Sequence, residues 1–279
     1  MPRDFTIVIA SRPDYPHVMA FAEIAAGLAQ GFEELGFAAA VTQDPGEIEG
    51  RAVVLAPHLV PFTAWQPPPG SILFNLEQAA DSSPWFSPAY VALLRAHEVW
   101  DYSPGNIEYL SGRGVSGRLV PIGYASSLSR IPEGPQDIDV LAYGALSDRR
   151  VAILDELRRR GAKVRRLFDV YGARRDGYIA RSRIVLNIHT YEARLFEIVR
   201  VSYLLANGRC IVSEDGADAS LEEPYREAVV FAPYERLVDT TLTMLADPAA
   251  CARRAAAGRQ IFEGRPQREF LRAVVGAQE

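Results

Sequence analysis

The feature that most constrains the fold of this chain is the repeated alternation of short apolar runs with segments of helical periodicity. Apolar runs in the first half cover residues 5–10, 37–42, 52–56, 71–75, 98–102 and 118–122. Between the first two, residues 17–35 carry apolar side chains at helical spacing and are followed by Gly36. Strands and helices that alternate in this way predict an α/β fold, with parallel sheets covered on both faces by helices.

The same alternation restarts after residues 126–137, which contain Ser, Gly and Pro without periodicity. A chain of 279 residues is long enough to bury two cores. We therefore predict two Rossmann-like domains whose parallel sheets face an interdomain cleft. The predicted parts are a domain at 1–125, the linker 126–137, a domain at 138–250 and C-terminal helices at 251–279. The last helix is expected to cross back to the first domain, and the proline-rich segment 57–70 is expected to be an irregular loop.

Composition excludes several function classes. The formal net charge of -5 offers no attraction to a phosphate backbone, so we do not expect nucleic-acid binding. Cys210 and Cys251 lack metal-ligand spacing, which predicts no metal site. No apolar stretch reaches the ~20 residues that span a bilayer, and the chain enters a strand pattern at once, so we expect a cytoplasmic protein without a transmembrane segment.

Candidate ligand-binding residues of the second half lie where predicted strands end and helices begin, the usual binding edge of a parallel sheet. The candidates at these positions are Gly144, Arg149, Arg150, Asn187, His189, Tyr191, Arg194, Glu197, Ser213 and Glu214. Glu197 lies in the first turn of a predicted helix, where a carboxylate is stabilised and accepts hydrogen bonds from ribose hydroxyls. Its spacing from Arg200 is equally typical of an ordinary surface ion pair, and both interpretations stay open.

In the first half, strand ends carry Asn75, Glu77, Gln78, Asp101 and Tyr102, and His17 opens a predicted helix. These residues are candidates for binding a second substrate or for proton transfer. The aromatic residues near these positions are Trp85, Phe86 and Trp100. They have two interpretations: they stack on a sugar ring, or they fill the core. His58 and His97 are interpreted as loop and helix-surface residues.

Several of these segments resemble one family. Residues 195–197, leading to 204–214, resemble the donor-binding segment of GT-B glycosyltransferases, including the group-1 and CgeB-like branches. Residues 75–78, 99–103, 121–124 and 181–189 resemble a bacterial subgroup of glycosyltransferases. The resemblance implies a hexosyltransferase-like enzyme that moves a sugar from a nucleotide-sugar donor to a hydroxyl of a carbohydrate or another acceptor, without a metal.

The resemblance also implies roles for the candidate residues. Glu197 matches the glutamate that holds the donor ribose, and His17 resembles the histidine that faces the donor sugar. The other candidates of the second half are assigned to the donor, whereas Asn75, Gln78 and Tyr102 are assigned to the acceptor. The base of an inverting reaction would be Glu77, Asp101 or His17, and the sequence does not distinguish an inverting from a retaining enzyme.

The chain departs from the family pattern at two places. Residues 12–16 replace the glycines that usually precede the first helix, and the only lysine, Lys163, lies at the start of a predicted strand. A phosphate clamp therefore has to consist of arginine side chains, for which Arg149, Arg150, Arg181 and Arg194 are candidates. Motifs of P-loop enzymes, NAD enzymes and serine hydrolases are missing. The alternative function is a non-catalytic nucleotide- or sugar-binding module on the same scaffold.

Overall fold

A computed structural model of the chain describes residues 3–12, 15–190 and 193–276. The chain divides into two compact units: unit 1 consists of Met1–Leu128 and Arg265–Glu279, and unit 2 consists of Ser129–Gly264. Each unit contains one sheet in which all strand pairs are parallel. The prediction of an α/β fold with two parallel, helix-flanked sheets is therefore confirmed.

Unit 1 contains a sheet of six strands in the order β2-β1-β3-β4-β5-β6. Its first elements are β1 (Phe5–Ile9), α1 (Ala22–Glu33), β2 (Ala39–Thr42), β3 (Arg51–Leu55), β4 (Ile72–Asn75), α2 (Pro88–Arg95), β5 (Glu98–Asp101), α3 (Pro104–Ser111) and β6 (Gly117–Leu119). The register places Asn75 beside Asp101 at the carboxyl ends of β4 and β5. Both residues are buried, so two polar side chains meet inside the edge of an otherwise apolar sheet.

Unit 2 contains a sheet of five strands in the order β11-β10-β9-β7-β8. Its elements are β7 (Ile138–Tyr143), α4 (Asp148–Arg159), β8 (Val164–Leu167), α5 (Gly172–Ala180), β9 (Ser182–Asn187), α6 (Ile198–Ala206), β10 (Ile211–Glu214), α7 (Ala219–Glu222), β11 (Val229–Ala232), α8 (Leu237–Ala246) and α9 (Pro248–Glu263). Asn187 lies beside Ser213 in the register of β9 and β10. The central strands are apolar and buried on both faces, as expected for parallel strands between helices.

The chain returns to unit 1 through α10 (Gln267–Val275). The side-chain oxygen of Gln267 accepts a hydrogen bond from the Gly123 backbone N–H at 2.7 Å. Gly31 of α1 allows close packing, since a Cβ at this position would lie 2.8 Å from the Leu271 side chain. A small residue in α1 and an apolar residue in α10 thus hold the last helix on unit 1.

Three local features differ from the sequence predictions. The helix expected over residues 17–35 is a 3-10 helix, Pro16–Phe21, followed by α1. The expected irregular loop contains a 3-10 helix, Pro57–Phe62, which starts after Ala56 in a left-handed conformation (φ 54°). Helix α2 was not predicted from the sequence. Among the residues that the structure describes, no helix combines the length and apolar composition that a bilayer crossing requires.

Candidate functional site

The carboxyl edge of the unit 2 sheet contains a carboxylate between two guanidinium groups. Glu197 is the residue that precedes the first turn of α6, and its side chain is 12% exposed. Its Oε2 lies 2.7 Å from Nη1 of Arg200, and its Oε1 lies 3.3 Å from Nη2 of Arg150. The structure therefore brings together Glu197 and Arg150, which were both predicted to bind the donor, with Arg200, which the sequence analysis considered only as an ion-pair partner of Glu197.

Arg150 is fixed by backbone carbonyl groups as well as by Glu197. Its Nε and Nη2 donate to the carbonyl of Ile188 at 2.8 and 2.5 Å, and its Nη1 donates to the carbonyl of Ala145 at 2.7 Å. These carbonyls follow β9 and β7, so the buried guanidinium connects the loops after two neighbouring strands. Arg150 acts mainly to position Glu197 and these loops, because little of its surface is exposed.

The two arginines determine the ionisation of Glu197. Burial alone would raise the pKa of this carboxyl group, but the charges of Arg200 and Arg150 outweigh that effect and lower it. Glu197 is therefore ionised at neutral pH. The carboxylate is available to accept hydrogen bonds only on the side that the two guanidinium groups leave open.

Gly144 allows the backbone to approach these arginines. It follows β7 with φ 115°, and a Cβ there would lie 2.8 Å from Nη2 of Arg200 and 3.2 Å from Nη1 of Arg150. A small depression at this position is lined by Tyr143, Gly144, Leu146, Arg150, Arg166 and Arg200, with apolar residues beneath. Its rim is thus a glycine backbone flanked by guanidinium groups, an arrangement that suits an anionic group.

A second ion pair lies beside the first. Arg149 contacts both carboxylate oxygens of Glu214, at 2.5 and 3.3 Å, and lies over the ring of Tyr234 at 4.3 Å. Glu214 is fully buried and also accepts a hydrogen bond from the His189 backbone N–H at 3.0 Å. Glu214 therefore anchors the loop after β9, and its carboxylate is occupied by protein groups rather than directed to a ligand.

The ring of His189 lies inside this edge of the sheet. Its Nδ1 is 4.0 Å from Glu197, and neither ring nitrogen has a hydrogen-bond partner among the described residues. Burial lowers the pKa of His189, although the charges of Glu197 and Glu214 act in the opposite direction. The ring is thus held neutral, packed behind Glu197.

The remaining donor candidates divide into buried and exposed residues. Asn187 donates to Ser213 Oγ at 3.1 Å and accepts from Arg200 Nη1 at 3.3 Å, so these buried residues support Arg200. Arg194 lies on an exposed turn with φ 44°, where its carbonyl accepts from Ala217. Tyr191 lies outside the described residues. Arg194 therefore stays a candidate for ligand contact, whereas Asn187 and Ser213 have positioning roles.

In unit 1, the predicted base Asp101 is buried and surrounded by N–H donors. Its Oδ1 accepts from the Ser103 backbone at 2.8 Å and its Oδ2 accepts from Asn75 at 2.6 Å, while Asn106 contacts both oxygens at 3.0 and 3.2 Å. Burial raises the pKa of Asp101 to about 7, against these hydrogen bonds, which favour the carboxylate. Because it has no exposed surface, Asp101 is not placed to take a proton from a substrate.

Asp101 instead positions Glu77. Asn75 and Asn106, both bound to Asp101, donate to the Glu77 carbonyl at 3.0 and 2.9 Å. The Glu77 side chain is 15% exposed, and its Oε1 lies 3.6 Å from Nε2 of the buried His58. Of the predicted bases at these strand ends, Glu77 is the one with an accessible carboxylate.

The other candidates of unit 1 are distributed around this residue. Gln78 and Tyr102 are buried, as is Asn75, so the structure does not favour them as acceptor contacts. His17 is partly buried at the start of the first 3-10 helix, with its ring 5.1 Å from that of Tyr15. Across residues 3–12, 15–190 and 193–276, no three His, Cys, Asp or Glu side chains form a group that could hold a metal ion.

His58 was interpreted from the sequence as a loop residue, but it is fully buried beside Glu77. Neither ring nitrogen has a hydrogen-bond partner in the described part of the chain. Burial lowers the pKa of His58 to about 3, so the ring is neutral. An unsatisfied buried polar group costs ~1–3 kcal/mol, and the only sequence signal for this residue was its position just after a strand.

One family of known proteins matches part of this chain. Residues 131–267 match the family described as "Glycosyl transferase-like". That part of the chain is similar to this family. The matched region contains the whole Glu197 cluster, so the strand-end residues of unit 2 lie in the type of domain that the sequence resemblance implied.

Individual relatives are proteins of one virus. An uncharacterized protein of Acanthamoeba polyphaga mimivirus is 30% identical over 186 residues, which are 63% of this chain and 59% of the viral protein. The chain spans 13% and 21% of the length of two further proteins of this virus. It therefore corresponds to only part of these relatives.

Solved structures show the fold across the whole chain. Sucrose-phosphate synthase from Thermosynechococcus elongatus has a TM-score of 0.61 at 13% identity, with 97% of each chain covered. Anabaena HepE in complex with UDP-glucose has a TM-score of 0.61 at 11% identity, with 96% and 99% covered. The predicted resemblance in fold to GT-B glycosyltransferases is thus confirmed, whereas the CgeB-like branch stays a prediction.

Proposed function

We propose that this chain is a glycosyltransferase that moves a hexose from a nucleoside diphosphate sugar to a hydroxyl acceptor. The observation that supports this most directly is the Glu197 cluster: an ionised carboxylate between Arg150 and Arg200, beside Gly144, at the carboxyl edge of a sheet in a glycosyl transferase-like region. Unit 2 binds the donor in this proposal.

Each group of the cluster has a chemical role. Glu197 accepts hydrogen bonds from the ribose hydroxyls, and the guanidinium of Arg200 faces the diphosphate. Both polar contacts of Arg200 with described residues, to Glu197 and Asn187, leave from Nη1. Its Nη2 is directed over Gly144. A phosphate oxygen at the depression would therefore meet an N–H donor and a backbone without a Cβ.

The reaction breaks the bond between the sugar C1 and the phosphate oxygen, and the nucleoside diphosphate leaves with the electron pair. A bond forms between C1 and the acceptor oxygen, whose proton passes to a base or to the leaving phosphate. Positive charge at the diphosphate stabilises this departure. Since arginine side chains supply that charge, we propose a metal-independent reaction whose rate is unaffected by EDTA.

Binding of UDP and UDP-glucose is the first test, because HepE was solved with UDP-glucose. Titration calorimetry of the full chain is compared for the wild type, Arg200→Ala and the control Arg253→Ala, whose side chain is 71% exposed. We expect Arg200→Ala to weaken binding at least ~10-fold, equivalent to ~1.4 kcal/mol, while the control binds as the wild type.

A wider panel of nucleotide sugars and acceptors then tests transfer itself. Release of the nucleoside diphosphate that depends on the acceptor supports the enzyme. Binding without cleavage or transfer across the panel would identify a non-catalytic nucleotide-sugar-binding protein. Failure of every nucleoside diphosphate sugar to bind would refute the proposal.

A further inference from the structure

Unit 2 contains a pair of thiol groups that the Glu197 cluster does not use. Cys210 and Cys251 are the only two cysteines of the sequence, and they lie far apart in it. Both are free thiols, of which Cys210 is buried and Cys251 is partly exposed. The fold brings them together, because Cys251 packs against the apolar core cluster that contains Cys210.

The close packing of α9 on the chain before β10 explains why the two cysteines meet. Gly208 lies two residues before Cys210. A Cβ at Gly208 would be 3.8 Å from the backbone oxygen of Ala255 in α9. Cys251 lies one helical turn before Ala255, so α9 places its side chain beside the start of β10.

The surroundings of Cys251 favour its thiolate over that of Cys210. The thiol of Cys251 donates to the carbonyl of Met244 in α8 at 3.2 Å. The interaction with the thiol of Cys210 lowers the pKa of Cys251, and the charge of Arg183 acts in the same direction. Burial and the nearby Asp247 oppose this shift. The interaction with Cys251 and burial both raise the pKa of Cys210, so Cys251 carries the larger fraction of thiolate.

The positive charge near Cys251 is fixed by the protein. Nη2 of Arg183 donates to the carbonyl of Leu245 at 2.6 Å, and its Nη1 donates to Oδ1 of Asp139 at 3.1 Å. Leu245 follows Met244, whose carbonyl accepts from Cys251. The guanidinium group is therefore held at the same end of α8 as the thiol. A partly exposed cysteine near a fixed cation, with a second thiol behind it, has the features of a cysteine that oxidants reach.

We propose that Cys251 and Cys210 form an oxidation site for hydroperoxides, in which Cys251 is the attacking thiolate and Cys210 is the resolving thiol. The thiolate of Cys251 attacks one oxygen of hydrogen peroxide, the O–O bond breaks, and hydroxide leaves with the electron pair. Cys251 is then a sulfenic acid. The proton that its thiol released converts the hydroxide to water.

The second step forms a disulfide. The sulfur of Cys210 attacks the sulfur of Cys251, the S–O bond breaks, and the oxygen leaves as water with the proton of Cys210. Two thiols and one peroxide thus give one disulfide and two water molecules, so that sulfur is oxidised and the peroxide is reduced. The new bond connects the residue before β10 to the start of α9 and closes a loop that contains β10, α7, β11 and α8. Such a cross-link restricts the unfolded chain and should stabilise unit 2.

Intact-mass spectrometry of the full chain, treated with hydrogen peroxide, tests the site. The wild type should lose about 2 Da, the mass of the two thiol hydrogens, and dithiothreitol should restore the starting mass. Peptide mapping should recover the segments of Cys210 and Cys251 joined within one chain. A wild type that keeps both thiols under peroxide that fully oxidises free cysteine would overturn the proposal, as would a disulfide between two chains.

Two variants separate the roles of the cysteines. In Cys210→Ala the resolving thiol is missing, so Cys251 should stop at the sulfenic acid and be trapped by dimedone. Cys251→Ala should give at least tenfold less dimedone product, because Cys210 is buried. Circular dichroism checks that both variants are folded. Equal labelling of the two variants, or stronger labelling of Cys251→Ala, would contradict the assignment.

Native-state hydrogen exchange measures the consequence of oxidation. Amides of β10 and β11 should exchange at least ~10-fold more slowly in the oxidised than in the reduced wild type. Peroxide should leave their exchange in Cys251→Ala unchanged. Exchange in the oxidised wild type that is no slower than in the reduced protein would overturn the proposal, because the bond would then not fit the folded unit. These outcomes do not depend on the proposed transferase function.

Discussion

Replacing Glu197 by glutamine tests the electrostatic structure of the donor cluster. The substitution keeps the shape of the side chain but removes the charge that Arg150 and Arg200 contact at 3.3 and 2.7 Å. Removing one partner of a buried ion pair costs ~3–5 kcal/mol, because the other charge stays buried. Arg150 keeps its hydrogen bonds to two carbonyl groups, and Arg200 is 25% exposed, so we expect a value near the lower end, ~3 kcal/mol.

The stability loss in Glu197→Gln should also depend on pH. The folded-state pKa of Glu197 lies below its ordinary value of 4.5. The stability that its ionisation contributes is therefore fully present above that value and is lost as the pH falls through the lower folded pKa. The difference between wild type and Glu197→Gln should be largest at about pH 7 and should shrink by about pH 3.5.

Native-state hydrogen exchange of β9 amides provides the assay, since all three tryptophans lie in unit 1 and do not report on unit 2. The control is Glu156→Gln on α4, which breaks an exposed pair with Arg159 and should cost ~0.5 kcal/mol or less. A Glu197→Gln loss no larger than the control, or one that is the same at both pH values, would refute the reasoning.

Two more predictions concern unit 1 and helix packing. Gly31→Ala should destabilise unit 1 by ~1–3 kcal/mol, because the new methyl group would lie 2.8 Å from the Leu271 side chain. Gly177→Ala in α5 meets nothing within 4 Å and should stabilise unit 2 by ~0.5–1 kcal/mol. Urea denaturation followed by tryptophan fluorescence reports on unit 1 and exchange of β9 amides reports on unit 2, and equal effects of the two variants would contradict the packing of α10. Asp101→Asn should gain stability relative to the wild type as the pH rises from 3.8 to about 7, by ~1.4 kcal/mol for each pH unit. The reason is that burial raises the pKa of Asp101 in the folded state, so that its ionisation opposes folding. A difference in tryptophan-monitored unfolding that does not change with pH would contradict this prediction.

Much of the fold was predictable because parallel strands are apolar on both faces. The apolar run at 71–75, for instance, corresponds to β4 at Ile72–Asn75, whose four residues are all buried. The 3-10 helix after Ala56 depends on a left-handed backbone conformation at a non-glycine residue, which composition does not indicate.

The position of the candidate site was predictable from the sequence, but which of its charged side chains pair with each other was not. The sequence placed Glu197 at a helix start, but its partner Arg150 is 47 residues away. Arg149 and Arg150 are adjacent, yet they contact different carboxylates, because neighbouring residues of a helix point about 100° apart. Only the packing of α4 on the sheet decides which arginine meets Glu197. The same limit applies to His58, whose burial depends on Trp85 and Tyr90 from later parts of the chain.

Both units bury polar side chains at the carboxyl edge of their sheet, but the groups that pair with the buried carboxylates differ. In unit 2 each buried carboxylate faces a guanidinium group, which lowers the pKa of Glu197 and leaves positive charge at the rim of the depression. In unit 1 the buried carboxylate of Asp101 is met by amide N–H donors, and burial raises its pKa to about 7. A rim of the first kind suits an anionic ligand, whereas Asp101 is fully buried and its amide partners hold the Glu77 backbone in place. The positive rim is therefore the physical reason to propose that unit 2 binds the diphosphate donor.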